Sequence, residues 1–144
     1  MKHWEPYVRA GWEMVMEAQG ASKTYLVPDV EAFLVHTIAR TIDRTDVWEE
    51  PIAIKMMTAQ TKPGLTKRIE LRNVGEECLF IDAWEFKQRR WPSPNYFKDM
   101  GSIAFGMASV ATSPIDTTLE LVSEHFTTMS HVLRQVRDLH LHKK

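Results

Sequence analysis

Asp82 and Glu85 lie three residues apart in CLFIDAWEF, the most apolar stretch of a 144-residue chain. On a helix that spacing makes the two carboxyls neighbours. Burial raises a carboxyl pKa, and a raised pKa suits a group that must take up and release protons, so the pair could act as general acid and base. A purely structural part fits the same residues. Glu85 can pair with Arg89 one turn on, and a helix end lets both acids reach water. Trp84, Tyr96 and Phe97, with the many methionines, could line an apolar cavity between helices, with Asp82, Glu85 or His125 as its polar contacts. Core packing explains those aromatics equally well.

The histidines do not form a metal site at helical spacing. His125 and His131 are six residues apart, about 120° around a helix, and could share a metal only with help from a second helix. His131 falls with Glu120, Glu124 and Asp138 on a polar face, and His36 falls with Asp29, Arg40 and Asp43 on another. His140 and His142 belong to a basic tail. No His-Glu-x-x-His motif is present, so no metal is expected. The single cysteine, Cys78, excludes an intramolecular disulfide and shares a helical side with Leu71, Val74 and Ile81; a buried, unreactive thiol is expected. KQRRW, with Lys98 nearby, joins bases to an aromatic as single-strand contacts do. A helix C-terminus attracts cations through its dipole alone, and no nucleic-acid partner is expected. There is no GxSxG elbow, phosphate-binding glycine loop or dinucleotide fingerprint, so no cofactor is implied.

Composition bounds the rest. A chain of 144 residues with 44% apolar and 26% charged side chains is expected to fold as one domain spanning 1–144. A formal net charge of −1, with acids and bases intermixed, gives no broad attraction to nucleic acid or anionic membrane. No apolar run approaches the roughly 18–20 residues of a membrane span, and the first residues lack the apolar core of a signal peptide. A cytoplasmic protein with no membrane partner is the expectation.

The elements that must hold these residues read as helices throughout. A first helix is expected from about Glu5 to Gln19, ending near Gly20, and a second opens at Pro28-Asp29 with Val30, Phe33, Leu34, Ile38 and Ile42 on its buried side. Asp46 and Glu49 have capping-box spacing, although Pro51 delays the regular third helix to Glu50 or Pro51. After Pro63-Gly64 a fourth helix runs from about Leu65 to Phe86, with Leu71, Val74, Cys78 and Ile81 opposed by Arg72, Asn73 and Glu76. Gly75 permits a kink or close packing. Ser93-Pro94 starts a fifth helix with a large stripe (Met100, Ile103, Met107, Val110) beside a small one (Gly101, Ala104, Ala108, Ala111). Thr117 and Glu120 form a capping box for a final helix of roughly 24 residues, about 36 Å long. Its apolar residues Ile115, Leu119, Val122, Phe126, Met129, Leu133 and Val136 step by alternate fours and threes, a single narrow seam.

Three segments, EAFLVHTIAR, LRNVGEECLF and PNYFKDMGSIAFGMAS, together resemble a family of small bacterial all-helical proteins with no known activity, over roughly residues 30–110. The resemblance implies a bacterial cytosolic helical domain and no particular chemistry. The family commonly has Asp at the position of Glu76, Tyr at that of Phe105, and a proline where this chain has Trp84-Glu85-Phe86. A role for that tyrosine hydroxyl could not operate here.

These readings converge on an all-α, single-domain bundle of five or six helices with a long C-terminal helix. The leading expectation for function is a non-catalytic module that self-associates as a homodimer. Its interface would be the part of the Leu119, Val122, Phe126, Met129, Leu133 and Val136 seam that outruns the core. The alternative is a small-molecule-binding protein or enzyme with an apolar inter-helix pocket. The small stripe should meet another helix at short range, so Ala104→Leu should overpack that contact and cost roughly 1–3 kcal/mol in chemical denaturation. An unchanged midpoint would place the stripe in solvent.

Overall fold

The computed structural model describes residues 5–41, 51–84 and 95–141. Among them the chain forms seven α-helices and no strand: α1 (Glu5–Ser22), α2 (Pro28–Thr41), α3 (Ile52–Gln60), α4 (Gly64–Trp84), α5 (Tyr96–Ser109), α6 (Thr117–Glu124) and α7 (Phe126–Val136). A five-residue π-helical turn, Arg137–Leu141, closes the described chain. The count exceeds the expected five or six because the C-terminal helix divides at His125, whose φ of −105° and ψ of 20° leave the helical region. Despite the break, Leu119, Val122, Phe126, Met129, Leu133 and Val136 all point into the core. The seam is covered by α1, α4 and α5 of its own chain.

Local starts and stops differ from expectation at several helices. The first helix does not end at Gly20 but continues to Ser22, and Lys23 takes the left-handed turn with φ 55°. Tertiary bonds override the glycine signal here. Gln19 is buried, donates to Glu31 at 2.6 Å and accepts the Leu26 N–H at 2.7 Å, while the Thr24 N–H reaches the Gln19 carbonyl at 3.2 Å. At α6 the cap is Asp116 rather than Thr117; its carboxylate accepts the Leu119 N–H at 3.0 Å, which moves the cap one residue earlier. The fourth helix starts one residue early, at Gly64, where φ is +42°. The third helix begins at Ile52 with Pro51 at the cap position, and the fifth at Tyr96 with Asn95 at the cap position, later than the expected Ser93-Pro94 start. The Asp46/Glu49 box, Ser93, Pro94, Ile42 and the KQRRW segment themselves lie outside the described residues.

One apolar cluster draws side chains from all seven helices. Helix α4 lies at its centre, buried on most of its circumference from Leu71 onward, and packs most extensively on α5. Two glycines make that approach possible. A Cβ on Gly75 would sit 2.6 Å from the Phe105 ring, and one on Gly101 would collide with the Phe126 ring and the Cys78 Cβ. Phe105 has no room to yield, since it is fully buried between Phe33, edge-on at 5.5 Å, and Phe126 at 6.1 Å. Ala104 and Ala108 of the small stripe are likewise fully buried, whereas Ile103 and Val110 of the large stripe face outward. The paired serines of α5 and α6 exchange hydroxyl-to-carbonyl bonds, Ser102 to Ser123 at 2.8 Å and the reverse at 2.7 Å.

Gly75→Ala should therefore destabilise the protein by about 1–3 kcal/mol through overpacking. Gly20→Ala, where an added Cβ meets nothing within 4 Å, should stabilise it by about 0.4–1 kcal/mol. Urea denaturation of the two variants should move the midpoint in opposite directions.

Candidate functional site

Helix α4 carries three buried acids, and each is met by a cation from elsewhere. Glu76, only 2% exposed, pairs with Arg40 of α2, accepts the Thr37 hydroxyl at 3.2 Å, and has the Arg72 guanidinium at 3.5 Å. Glu77 pairs with Lys55 of α3 at 2.7 Å. Asp82 takes both oxygens to Lys98 of α5 at 3.1 Å and accepts the Ser130 hydroxyl of α7 at 2.5 Å. The expectation that Glu76 stands on a polar outer face with Arg72 and Asn73 is thus corrected: its partners on α2 let it enter the core.

The residues proposed for chemistry do not assemble into one centre. Asp82 is buried rather than reaching water at the helix end, and its carboxylate is occupied by Lys98 and Ser130. Glu85 lies outside the described residues. Trp84 is half-buried beside Phe80, their ring centres 5.4 Å apart, at the end of α4. Its carbonyl accepts from Arg137 at 3.1 Å. Arg134 donates to the Asp82 carbonyl at 3.2 Å, so two arginines satisfy carbonyls that a helix end leaves open. Tyr96 and Phe97 stack edge-on at 5.0 Å at the start of α5. His125 sits half-buried at the α6–α7 break. Among the described residues no three His, Cys, Asp or Glu side chains are grouped so as to hold a metal ion, and no helix is long and apolar enough to cross a membrane.

A different place gathers polar and apolar groups around open space. Between α2, α4 and the start of α6 lies a hollow of about 420 Å³. Arg40, Arg68 and Arg72 supply its charge, and Phe33, Leu65, Ile69 and Leu119 its apolar wall. Asp116 and Thr118 complete the lining at the α6 N-terminus. Each guanidinium is held in place from behind. Arg40 rests 5.7 Å from the centre of the Phe33 ring and is paired to Glu76. Arg68 donates to the Thr112 hydroxyl at 2.8 Å and lies 3.6 Å from Asp116. Arg72 is one turn further along α4, against Glu76. Sequence reasoning missed this constellation. Its one visible trace is the four-residue ladder Arg68, Arg72, Glu76, which places all three on one side of α4.

No protein-family model, curated protein or solved structure matches the chain. The functional reading accordingly rests on the site itself.

Cys78 is fully enclosed by α4's neighbours. Burial pushes its thiol well above the usual range, and the charges of Glu77 and Asp82 push the same way. The thiolate is the reactive form, so a thiol reagent should modify Cys78 only when the core opens. Labelling of the native protein should be at least about 10³-fold slower than in denaturant. A native rate approaching the denatured one would show an accessible thiol.

Proposed function

We propose that the chain is a helical small-molecule-binding protein whose site is the hollow between α2, α4 and α6. The observation that carries this reading is the convergence of three guanidiniums and four apolar side chains on one concavity of about 420 Å³. Ligand sites are concavities of about 300–1,000 Å³, mostly apolar, with a few polar groups fixed by their surroundings. Arg40, Arg68 and Arg72 are fixed in that sense, each by a named acid or hydroxyl. The hollow is not the pocket expected from the sequence: Trp84, Tyr96, Phe97, Asp82 and His125 are not among its lining residues, and its charge comes from arginines. The case for a self-associating module drew on the Leu119–Val136 seam, and those side chains are spent on the chain's own core.

A nuclear magnetic resonance screen with a chemically broad fragment library (neutral, cationic and anionic) tests the reading. Hits should shift the backbone amides of Phe33, Ile69 and Thr118 together. Ile69→Trp, which fills the hollow from a partly exposed position, should abolish those shifts and move the denaturation midpoint by less than about 0.5 kcal/mol. A library that leaves these amides unmoved would sink the proposal.

A further inference from the structure

We infer that the hollow selects a small organic monoanion, a carboxylate carried on an apolar body; this rests on the reading above that the hollow is a binding site. The charge balance comes first. Three arginines line the space, while Asp116 is part of the lining and Glu76 stands directly behind two of the guanidiniums. Among the described residues three positive and two negative groups leave one positive charge, which a monoanion neutralises. A phosphate monoester carries about −1.5 to −2 at neutral pH and would leave an excess of negative charge beside two carboxylates.

Geometry points the same way. Arg68 and Arg72 are one turn apart on α4, so their guanidiniums can approach the same anion. The Arg68 guanidinium offers the planar fork that matches a carboxylate by two parallel hydrogen bonds, while Arg72, held against Glu76, adds positive charge beside it. Arg68 is the more available of the two to an incoming ligand. Its partners Thr112 and Asp116 lie at the rim, and the Asp116 contact is long at 3.6 Å. The N-terminus of α6, with Thr118, opens on the same space and adds a modest positive potential.

The other wall sets the rest of the ligand. Leu65 and Ile69 are 57% and 39% exposed on the α4 side of the hollow, large apolar groups standing in water. Phe33 and Leu119 line the space beyond them. A purely inorganic anion would leave Leu65 and Ile69 uncovered. An apolar body joined to the carboxylate would cover them, with its charged end at Arg68.

Titration calorimetry with phenylacetate, phenylacetamide and phenyl phosphate tests the inference. Phenylacetate should bind, the neutral amide at least about tenfold more weakly, and the phosphate no more tightly than the carboxylate. Arg68→Gln should weaken phenylacetate by at least about tenfold and leave the amide unchanged, while Arg68→Lys should recover part of the loss. If Arg68→Gln does not fold, the three-ligand comparison on the unaltered protein still decides. Equal affinity for acid and amide, with both shifting the Phe33, Ile69 and Thr118 amides, would overturn the anion while leaving the hollow a binding site. A preference for phenyl phosphate would overturn the single charge. Failure of all three to bind would overturn the inference outright, and the broad fragment screen would then report whether the hollow binds anything.

Discussion

An acid placed in the core of a helical protein must be neutralised there, and α4 makes that demand three times within seven residues. Glu76, Glu77 and Asp82 are all buried. Glu76 needs Arg40 of α2, Glu77 needs Lys55 of α3, and Asp82 needs Lys98 of α5 with Ser130 of α7. Such pairs contribute little net stability, because desolvation offsets much of the attraction. Removing a partner is another matter, costing about 3–5 kcal/mol where the remaining charge is fully buried. Four helices are thereby tied to fixed heights along α4. Hydrophobic burial alone would tolerate sliding or rotation, since one apolar stripe packs on another in several registers.

The apolar contacts then tighten what the charges position. Gly75 lets Phe105 lie flat against α4, and Gly101 brings α5 within reach of Cys78 and Phe126. A helix pair this close transmits displacement, because interiors are packed without slack. At the C-terminal end of α4, Arg134 and Arg137 occupy the carbonyls of Asp82, Ala83 and Trp84. Their positive charge also suits the negative end of the helix dipole. The last described turns of the chain thus hold the central helix from its far end, while the arginines of the hollow gather along its first half.

Periodicity served well wherever burial was the sole determinant. The four-three seam from Ile115 to Val136 named seven side chains, of which all but the exposed Ile115 are buried, and of the small stripe Gly101, Ala104 and Ala108 are buried while Ala111 is half-buried. What the spacing could not convey was which surface covered the seam. The expected length of the final helix suggested an overhang, but the break at His125 shortens it, and the first and fourth helices are long enough to cover it. Charges were harder. A helical wheel assigns Glu76 to water because its own face is polar, and the partner that reverses the assignment, Arg40, is 36 residues away in sequence. Asp82 is similar: its apolar neighbours and its place near a helix end allow either burial or access to water, and the side chain that neutralises it, Lys98, reads in the sequence as a companion of the KQRRW bases. The hollow escaped notice for a similar reason. Its arginines come from two helices, and only the folded chain brings Arg40 over to the ladder formed by Arg68 and Arg72.

The sharing of Glu76 between Arg40 and Arg72 divides the hollow into parts with unequal freedom to change. A substitution at either arginine alters the wall of the hollow and removes one partner of a buried carboxylate in the same stroke, so drift at those two positions is penalised by folding. Arg68, Leu65, Ile69 and Thr118 carry no such obligation; they are exposed or half-exposed, and their contacts lie at the rim. Descendants of this chain could therefore diverge at the rim of the hollow while inheriting the inner pair unaltered. The fold would act as a conservator of the charged floor, and variation would accumulate around the mouth.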